Sequence, residues 1–116
     1  MKRIQFQQEW PEEGYNYDKI QFLTDEDRMM ASYDIKYEDG YYPIISSVYV
    51  QGDFRGKGLT KIMLEDAFEV LKDWDGISIE VHKDNFIRKT YEACGLKFDH
   101  QADDNIHLFL NKNGND

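Results

Sequence analysis

The most restrictive feature of the sequence is a glycine-containing segment at residues 51–60, QGDFRGKGLT, where the hydrophobic period changes. The apolar run IISSVYV before it is typical of a strand. In KIMLEDAFEVL after it, apolar residues recur at steps of three and four, which predicts a helix. The chain is therefore expected to leave a strand, turn on the glycines and enter a helix.

The glycine segment carries chemistry that suits an anion. A helix start leaves backbone N–H groups without intrahelical partners, and the helix dipole makes that end electropositive. Gly56 and Gly58 allow positive φ and close approach of the backbone, while Arg55 and Lys57 add positive charge. From spacing alone, an ordinary strand-to-helix turn is an equally good interpretation. The spacing excludes a Walker A loop, and Lys61 stands where a dinucleotide fingerprint needs its third glycine.

The remaining patterns complete one small domain. About four strand-like segments precede the glycine segment, and ISIEVH, a helical DNFIRKTYEAC and two final strands follow it. This order predicts a single α/β (α+β) domain over residues 1–111, with residues 112–116 as a frayed tail. Gly76 is expected to end the first helix, and Asp84 or Asn85 to cap the second.

Charge and cysteine content limit the partners and the compartment. The net charge of −9 argues against nucleic-acid binding, because a phosphate backbone would be repelled. The single cysteine, Cys94, excludes an internal disulfide and fits a reducing compartment. No segment resembles a signal peptide or reaches the length of a membrane span, so we expect a cytoplasmic protein without a membrane partner.

The stretch VYVQGDFRGKGLTKIMLEDAF resembles the acyl-coenzyme A-binding motif of the GNAT family of N-acetyltransferases. That motif reads Arg/Gln-x-x-Gly-x-Gly/Ala between a strand and a helix. Arg55, Gly58 and Thr60 fall on its three defined positions. Thr60 replaces the usual glycine or alanine, but its backbone N–H can still bind a phosphate oxygen.

The segment DNFIRKTYEACGLKF resembles a second motif of the same family, Asn-x-x-Ala-x-x-Leu/Ile-Tyr followed by Gly-Phe. Asn85, Tyr91 and Gly95 stand in the family's order, whereas Arg88 and Leu96 replace the commoner Ala and Phe. The resemblance covers residues 41–111. It implies a central mixed, mostly antiparallel sheet of six or seven strands with two main helices.

The resemblance also implies an activity, the acylation of an amine with acetyl-coenzyme A as co-substrate and without a metal. Asn85 would contact the cofactor or order the site, and Tyr91 would protonate the leaving thiolate, although Tyr91 also suits a core position. Glu80 is the candidate base, with a merely solvent-facing role as the alternative. The residues expected to hold the pantetheine arm and the pyrophosphate are Val48, Tyr49, Val50, Arg55, Gly56, Lys57, Gly58, Leu59 and Thr60.

One part of the chain departs from the family, whose members usually carry two helices between their first two strands. Here only PEEGYNYDK separates the corresponding segments. Either the acceptor site is open, or a second copy completes it in a homodimer, or the protein is idle and binds acyl-coenzyme A or a protein partner. The negative charge favours a cationic acceptor such as a lysine or a polyamine. Aromatic residues that could form core and a dimer contact, or line an acceptor groove, are Trp10, Tyr15, Tyr17, Phe22, Tyr33, Tyr37, Tyr41 and Tyr42.

Overall fold

The computed structural model describes residues 1–10, 14–85 and 87–112, with Trp10 described by its backbone alone. Of the tail that the sequence predicts to fray, residues 113–116 lie outside the described residues. Within the described part, two α-helices are present, α1 (Leu59–Val70) and α2 (Arg88–Ala93), and a 3-10 turn covers Gly52–Phe54. The strands of this part are β1 (Lys2–Trp10), β2 (Tyr15–Leu23), β3 (Met29–Glu38), β4 (Ile44–Val50), β5 (Gly76–His82), β6 (Lys97–Ala102) and β7 (Asn105–Asn111).

All the strands join one sheet in the order β1-β2-β3-β4-β5-β7-β6. Neighbouring strands are antiparallel except β4 and β5, which are parallel. A parallel pair needs a crossover connection, and α1 supplies it. The predicted α/β (α+β) class, with a mixed and mostly antiparallel sheet, is therefore confirmed.

Several element boundaries differ from those predicted, and α2, Arg88–Ala93, is shorter than the predicted helical segment DNFIRKTYEAC. β2 begins at Tyr15, so the connection from β1 is residues 11–14 and is shorter than expected. α1 ends at Val70, and Gly76 opens β5 instead of ending the helix. Close approach explains the glycine, because a Cβ at Gly76 would lie 2.6 Å from Cζ of Phe109.

The hydrophobic core lies on one face of the sheet, under both helices. A cross-strand row of apolar residues runs through Ile45 of β4, Ile79 of β5 and Leu108 of β7, each at most 1% exposed. Each strand places alternate residues on this face, so the sheet presents a continuous apolar floor. The helices cover that floor with Leu59, Met63, Leu64 and Ala67 from α1 and Tyr91 from α2.

The opposite face of the sheet is polar, and we call it the polar face. Ile4 and Phe6 of β1 lie on it, 43% and 39% exposed, so the apolar side of the first strand is not packed into the core. The reason is the register, because Phe6 pairs with Lys19 while Arg3, on the helix side, pairs with Phe22. The row that crosses the polar face consists of Lys19, Asp34, Ser46, Glu80 and His107.

A charged network anchors the edge strand β1 to α1. Arg3 Nε and Nη2 donate to the two carboxylate oxygens of Asp66, at 2.7 and 3.0 Å. Tyr33 Oη of β3 donates to Asp66 Oδ2 at 2.5 Å. Burial, reinforced by the hydrogen bond to Asp66, raises the pKa of Tyr33, and the same carboxylate raises the pKa of Arg3. One carboxylate therefore joins three elements.

We expect Asp66→Asn to lower the free energy of unfolding by about 1–2 kcal/mol, because the half-exposed Arg3 loses a paired charged acceptor. Urea unfolding measures the change. Asp25→Asn is the matched control, since that carboxylate pairs with the amino terminus but is 80% exposed. Equal losses in the two variants would show that the network does not anchor β1.

Candidate functional site

The sheet opens between its two parallel strands. Among the described residues, β4 and β5 share only the ladder pairs Ile44↔Ser78 and Ile45↔Ile79, at the start of β4. Just beyond them Ser47 adopts a φ of 53°, and the register with β3 shifts. Such a bulge bends a strand and ends local pairing. The second half of β4 therefore has a backbone edge that does not pair with β5.

A cleft of about 700 Å³ occupies this opening, and we call it the β4 cleft. It lies at the carboxyl ends of the parallel pair, where ligands of open sheets commonly bind. Three lining residues, Lys61, Ile87 and Thr90, were not predicted from the sequence. The predicted residues that line it are Val48, Tyr49, Val50, Arg55, Gly56, Gly58, Leu59, Thr60, Asn85 and Tyr91.

The glycine loop adopts a conformation that only glycine takes readily. Gly56 and Gly58 have φ of 77° and 78°, in the left-handed region. Space alone does not require glycine, because an added Cβ would meet no atom within 4 Å at either position. Gly58 is the N-cap of α1, and no side chain caps the helix. The first-turn amides of α1 therefore face the cleft without a side-chain acceptor.

The basic residues of the loop are placed differently from one another. Arg55 lines the cleft, and its Nε donates to the carbonyl of Val50 at 3.2 Å, which ties the loop to the end of β4. Lys57 is exposed beside the Phe54 ring, 5.7 Å from its centroid, and does not line the cleft. Lys61, the third residue of α1, lines it instead. The signal in the sequence that could have identified Lys61 was its position in the first turn of the predicted helix.

Asn85 and Tyr91 form the wall opposite β4. Asn85 Oδ1 accepts from the N–H of Ile87 at 3.0 Å, so it orders the turn that leads into α2, close to the predicted capping role. Tyr91 is only 1% exposed and belongs to the core as well as to the cleft wall. Burial raises the pKa of Tyr91 to about 12. Its hydroxyl is therefore protonated at neutral pH.

Glu80 lies outside the β4 cleft, on the polar face. Its Oε1 accepts from Asn105 Nδ2 at 3.1 Å, and its Oε2 lies 3.5 Å from Nε2 of His107, directly across from it on β7. It borders a smaller cavity of about 320 Å³, which we call the polar-face pocket. Tyr91 and Glu80, the two predicted catalytic residues, thus lie on opposite sides of the sheet.

The polar-face pocket combines aromatic residues that the sequence suggested as core or as an acceptor groove with charged residues that it did not single out. Tyr15 and Tyr17 come from β2, and Asp34 and Lys36 come from β3. Burial raises the pKa of Asp34, although Lys19, 3.5 Å away, opposes the shift. The concentration of aromatic residues was the only signal for this pocket, since strand register decides which of them meet.

The two cavities touch consecutive residues of one strand. Ser46 and Ser47 border the polar-face pocket, and Val48 and Tyr49 border the β4 cleft. The bulge at Ser47 lies at the change from one cavity to the other. A molecule in each cavity would therefore approach β4 at neighbouring positions.

Comparison with known protein families matches residues 3–96 to the acetyltransferase (GNAT) family. No curated protein matches the sequence. Within the described residues, no helix is long and apolar enough to cross a membrane.

Solved acetyltransferase structures share the fold at low identity. One from Bacillus cereus has a TM-score of 0.72 and 11% identity, over 84% of this chain and 74% of that one. A Bacillus subtilis acetyltransferase in complex with coenzyme A has a TM-score of 0.67 and 18% identity, over 85% and 78%. An N-acetyltransferase from Thermoplasma acidophilum, also in complex with coenzyme A, has a TM-score of 0.64 and 11% identity, over 84% and 61%. This chain thus spans less than two thirds of the archaeal protein, and the likeness shows the fold.

The raised pKa of Tyr91 predicts a loss of stability in alkali. Unfolded tyrosine ionises near pH 10, whereas folded Tyr91 keeps its proton until about 12. The unfolded state therefore loses its proton first, and the free energy of unfolding should fall by about 1.4 kcal/mol per pH unit in this window. Tyr33 and Tyr37, whose pKa values burial also raises, add to the fall.

Urea unfolding at about pH 10.5 and about pH 11.5, inside this window, measures the slope. Tyr91→Phe should make it shallower, whereas Tyr41→Phe, at an exposed position, should not. If the free energy of unfolding of Tyr91→Phe fell with pH as steeply as that of the unaltered protein, the raised pKa of Tyr91 would be contradicted.

Proposed function

The chain belongs to the GNAT family of acetyltransferases, and we propose that it transfers an acetyl group from acetyl-coenzyme A to an amine by direct attack. The observation that carries this proposal is the β4 cleft. Ten of the twelve site residues predicted from the sequence line this single cavity of about 700 Å³. The cavity joins an unpaired strand edge to an uncapped helix start.

The described residues suit a diphosphate followed by an extended arm. The amides of the glycine loop and of the first turn of α1 bind the pyrophosphate, because they are donors at the positive end of the helix dipole. Arg55 and Lys61 add positive charge beside it. Val48 and Val50 offer the strand edge along which the pantetheine amides form hydrogen bonds.

The reaction takes place where β4 bends, beside Ser47. The amine nitrogen forms a bond to the thioester carbon, and the carbon–sulfur bond then breaks. A backbone N–H of β4 stabilises the oxyanion of the intermediate. Glu80 accepts the proton that the amine loses, directly or through water, and His107 holds its carboxylate in place.

Tyr91 acts on the leaving thiolate as a hydrogen-bond donor. Its pKa of about 12 exceeds the value of about 8.5 for an ordinary thiol. Full proton transfer from the phenol to sulfur would therefore be uphill by about 5 kcal/mol. A hydrogen bond to the developing charge stabilises the transition state, and the released thiolate takes its proton from water.

The polar-face pocket is the place for the acceptor. It meets β4 next to the bulge and brings the carboxylates of Asp34 and Glu80 together with the rings of Tyr15 and Tyr17. The negative charge of the chain, −9, favours a cationic amine. β2 provides the wall of this pocket that, in other members of the family, the two helices between the first strands would provide.

A second candidate function is an idle protein that binds acyl-coenzyme A without turnover. The short connection between β1 and β2 favours it, because residues 11–14 leave no room for two helices beside the acceptor pocket. Calorimetric titration with acetyl-coenzyme A, followed by thiol release with a panel of amines, separates the two functions. Binding without thiol release would support the idle protein.

Gly58→Glu should weaken acetyl-coenzyme A binding by roughly tenfold or more, about 1.4 kcal/mol. Glutamate at a φ of 78° is strained, and its carboxylate would repel the pyrophosphate. Calorimetry measures the affinity. Gly14→Glu is the matched control, since Gly14 has a φ of 75°, open space around it and no place in the cleft. Equal affinity in the two variants would remove the loop from the site.

Tyr91→Phe should lower turnover by about 10- to 100-fold, the value of one hydrogen bond to a charged group. Affinity for acetyl-coenzyme A should not change, because the ring that fills the core remains. Thiol release with an accepted amine and calorimetry measure the two quantities. Unchanged turnover would make Tyr91 a core residue only.

A further inference from the structure

A third cavity lies at the end of β4 opposite the glycine loop. It has a volume of about 620 Å³ and shares no lining residue with the β4 cleft or the polar-face pocket. Its walls come from the start of β2, the end of β3, the β3–β4 turn and the segment between α1 and β5. The length of β4, about 20 Å, separates it from the glycine loop. The proposed transferase chemistry does not use it.

Four aromatic rings line this cavity, on Tyr37, Tyr41, Tyr42 and Trp74. Tyr41, Tyr42 and Trp74 are 64%, 47% and 40% exposed, which is unusual for neighbouring large side chains. We call the cavity the aromatic pocket. Exposed rings grouped around a cavity, instead of scattered singly, indicate a surface that binds something.

Three of the four rings, those of Tyr37, Tyr42 and Trp74, are held in place by contacts within the protein. Tyr37 and Trp74 lie with centroids 6.3 Å apart and planes tilted by 34°. Tyr37 Oη donates to Asp18 Oδ2 at 3.2 Å, which restrains its ring. Tyr42 packs on Phe109 at 5.3 Å, in space that Gly76 leaves open, since a Cβ there would lie 3.2 Å from the Tyr42 ring. A cation is attracted to the face of an aromatic ring, so rings in fixed orientations can form a binding site for it.

The charge around the aromatic pocket is negative. Glu38 and Asp39 line it, and Asp73 and Asp75 flank Trp74 in the chain. In the described part of the chain, none of these four carboxylates belongs to an ion pair.

Three lysines near these carboxylates have other partners. Lys36 and Lys72 are close to them in sequence, and the Lys112 backbone N–H donates to the carbonyl of Asp75 at 2.9 Å. Lys36 lies over the Tyr15 ring at 4.3 Å, and Lys72 pairs with Glu69 at 3.4 Å. Lys112 Nζ donates to the carbonyl of Leu71 at 2.6 Å. Each of these cations thus has a contact of its own, and the carboxylates around the rings are left for a cation from outside.

We propose that the aromatic pocket binds an alkylated ammonium ion. Such a cation is weakly hydrated, so it gains from the negative faces of the rings more than it loses in leaving water. The surrounding carboxylates add Coulomb attraction and repel anions. The volume exceeds what a bare metal ion fills and suits a group with several methyl or methylene substituents. The site is independent of the acetyl-coenzyme A cleft and of its acceptor.

The test is an NMR titration of the full chain with choline and, separately, with 3,3-dimethyl-1-butanol, which has the same shape without the charge. Choline should shift the Trp74 indole signal saturably, and the alcohol should bind at least about fivefold more weakly. Trp74→Leu assigns the signal, because the chain has two tryptophans. Equal binding of the two compounds, or no saturable shift up to about 50 mM choline, would overturn the proposal.

Two further variants test the separate contributions. The double variant Glu38→Gln with Asp39→Asn keeps the shapes and should weaken choline binding by about threefold or more through loss of charge. Phe98→Ala removes an aromatic side chain that is 52% exposed but lies outside the pocket, and should leave choline binding unchanged. Choline shifts that centre on the Gly58 and Asn85 amides would place the cation in the β4 cleft and would also overturn the proposal.

Discussion

The parting of β4 from β5 after two ladder pairs is the constraint on which the rest of the site depends. The bulge at Ser47 places an extra residue opposite β3, which bends β4 where its pairing with β5 ends. A fully paired sheet would have no edge for an extended ligand. Because the strand bends there, its first half borders the polar-face pocket and its second half borders the β4 cleft. One strand thus serves both partners of the proposed reaction.

The short connection between β1 and β2 changes how the first strands of the sheet are supported. With residues 11–14 alone between β1 and β2, the first strands form a hairpin that packs on the core through one face. The Arg3–Asp66–Tyr33 network fastens the outer strand to α1 in place of apolar packing. The polar face is left uncovered there, which exposes Ile4 and Phe6. The same exposure leaves β2 as one wall of the polar-face pocket.

The fold and most of the candidate cleft could be predicted, because both depend on local signals. Hydrophobic period identified the strands and helices, and the resemblance of the segments around Arg55, Gly58 and Asn85 to the motifs of the family identified the residues that meet in the cleft. Lys57 and Glu80 show where this reasoning ends. Lys57 sits in the motif but faces away beside Phe54, and Glu80 lies on the far side of the sheet. The direction of a side chain depends on the φ of its neighbours and on strand register, which spacing does not contain.

The sequence by itself determined that a strand passes through two glycines into a helix, since glycine adopts the left-handed backbone at positions 56 and 58 with the least strain. It also indicated which faces of α1 and β5 join the core, because their apolar residues recur with the period of a helix or a strand, whereas the apolar face of β1 stays outside the core. Only the tertiary structure decided that Tyr15, Asp34 and Glu80 share a pocket and that Tyr37, Tyr41 and Trp74 share another. The first grouping arises from pairing between distant strands, and a shift of one residue in register would turn its side chains to the other face. The second arises because packing places the β3–β4 turn beside the segment between α1 and β5, and no local pattern in the sequence records that contact.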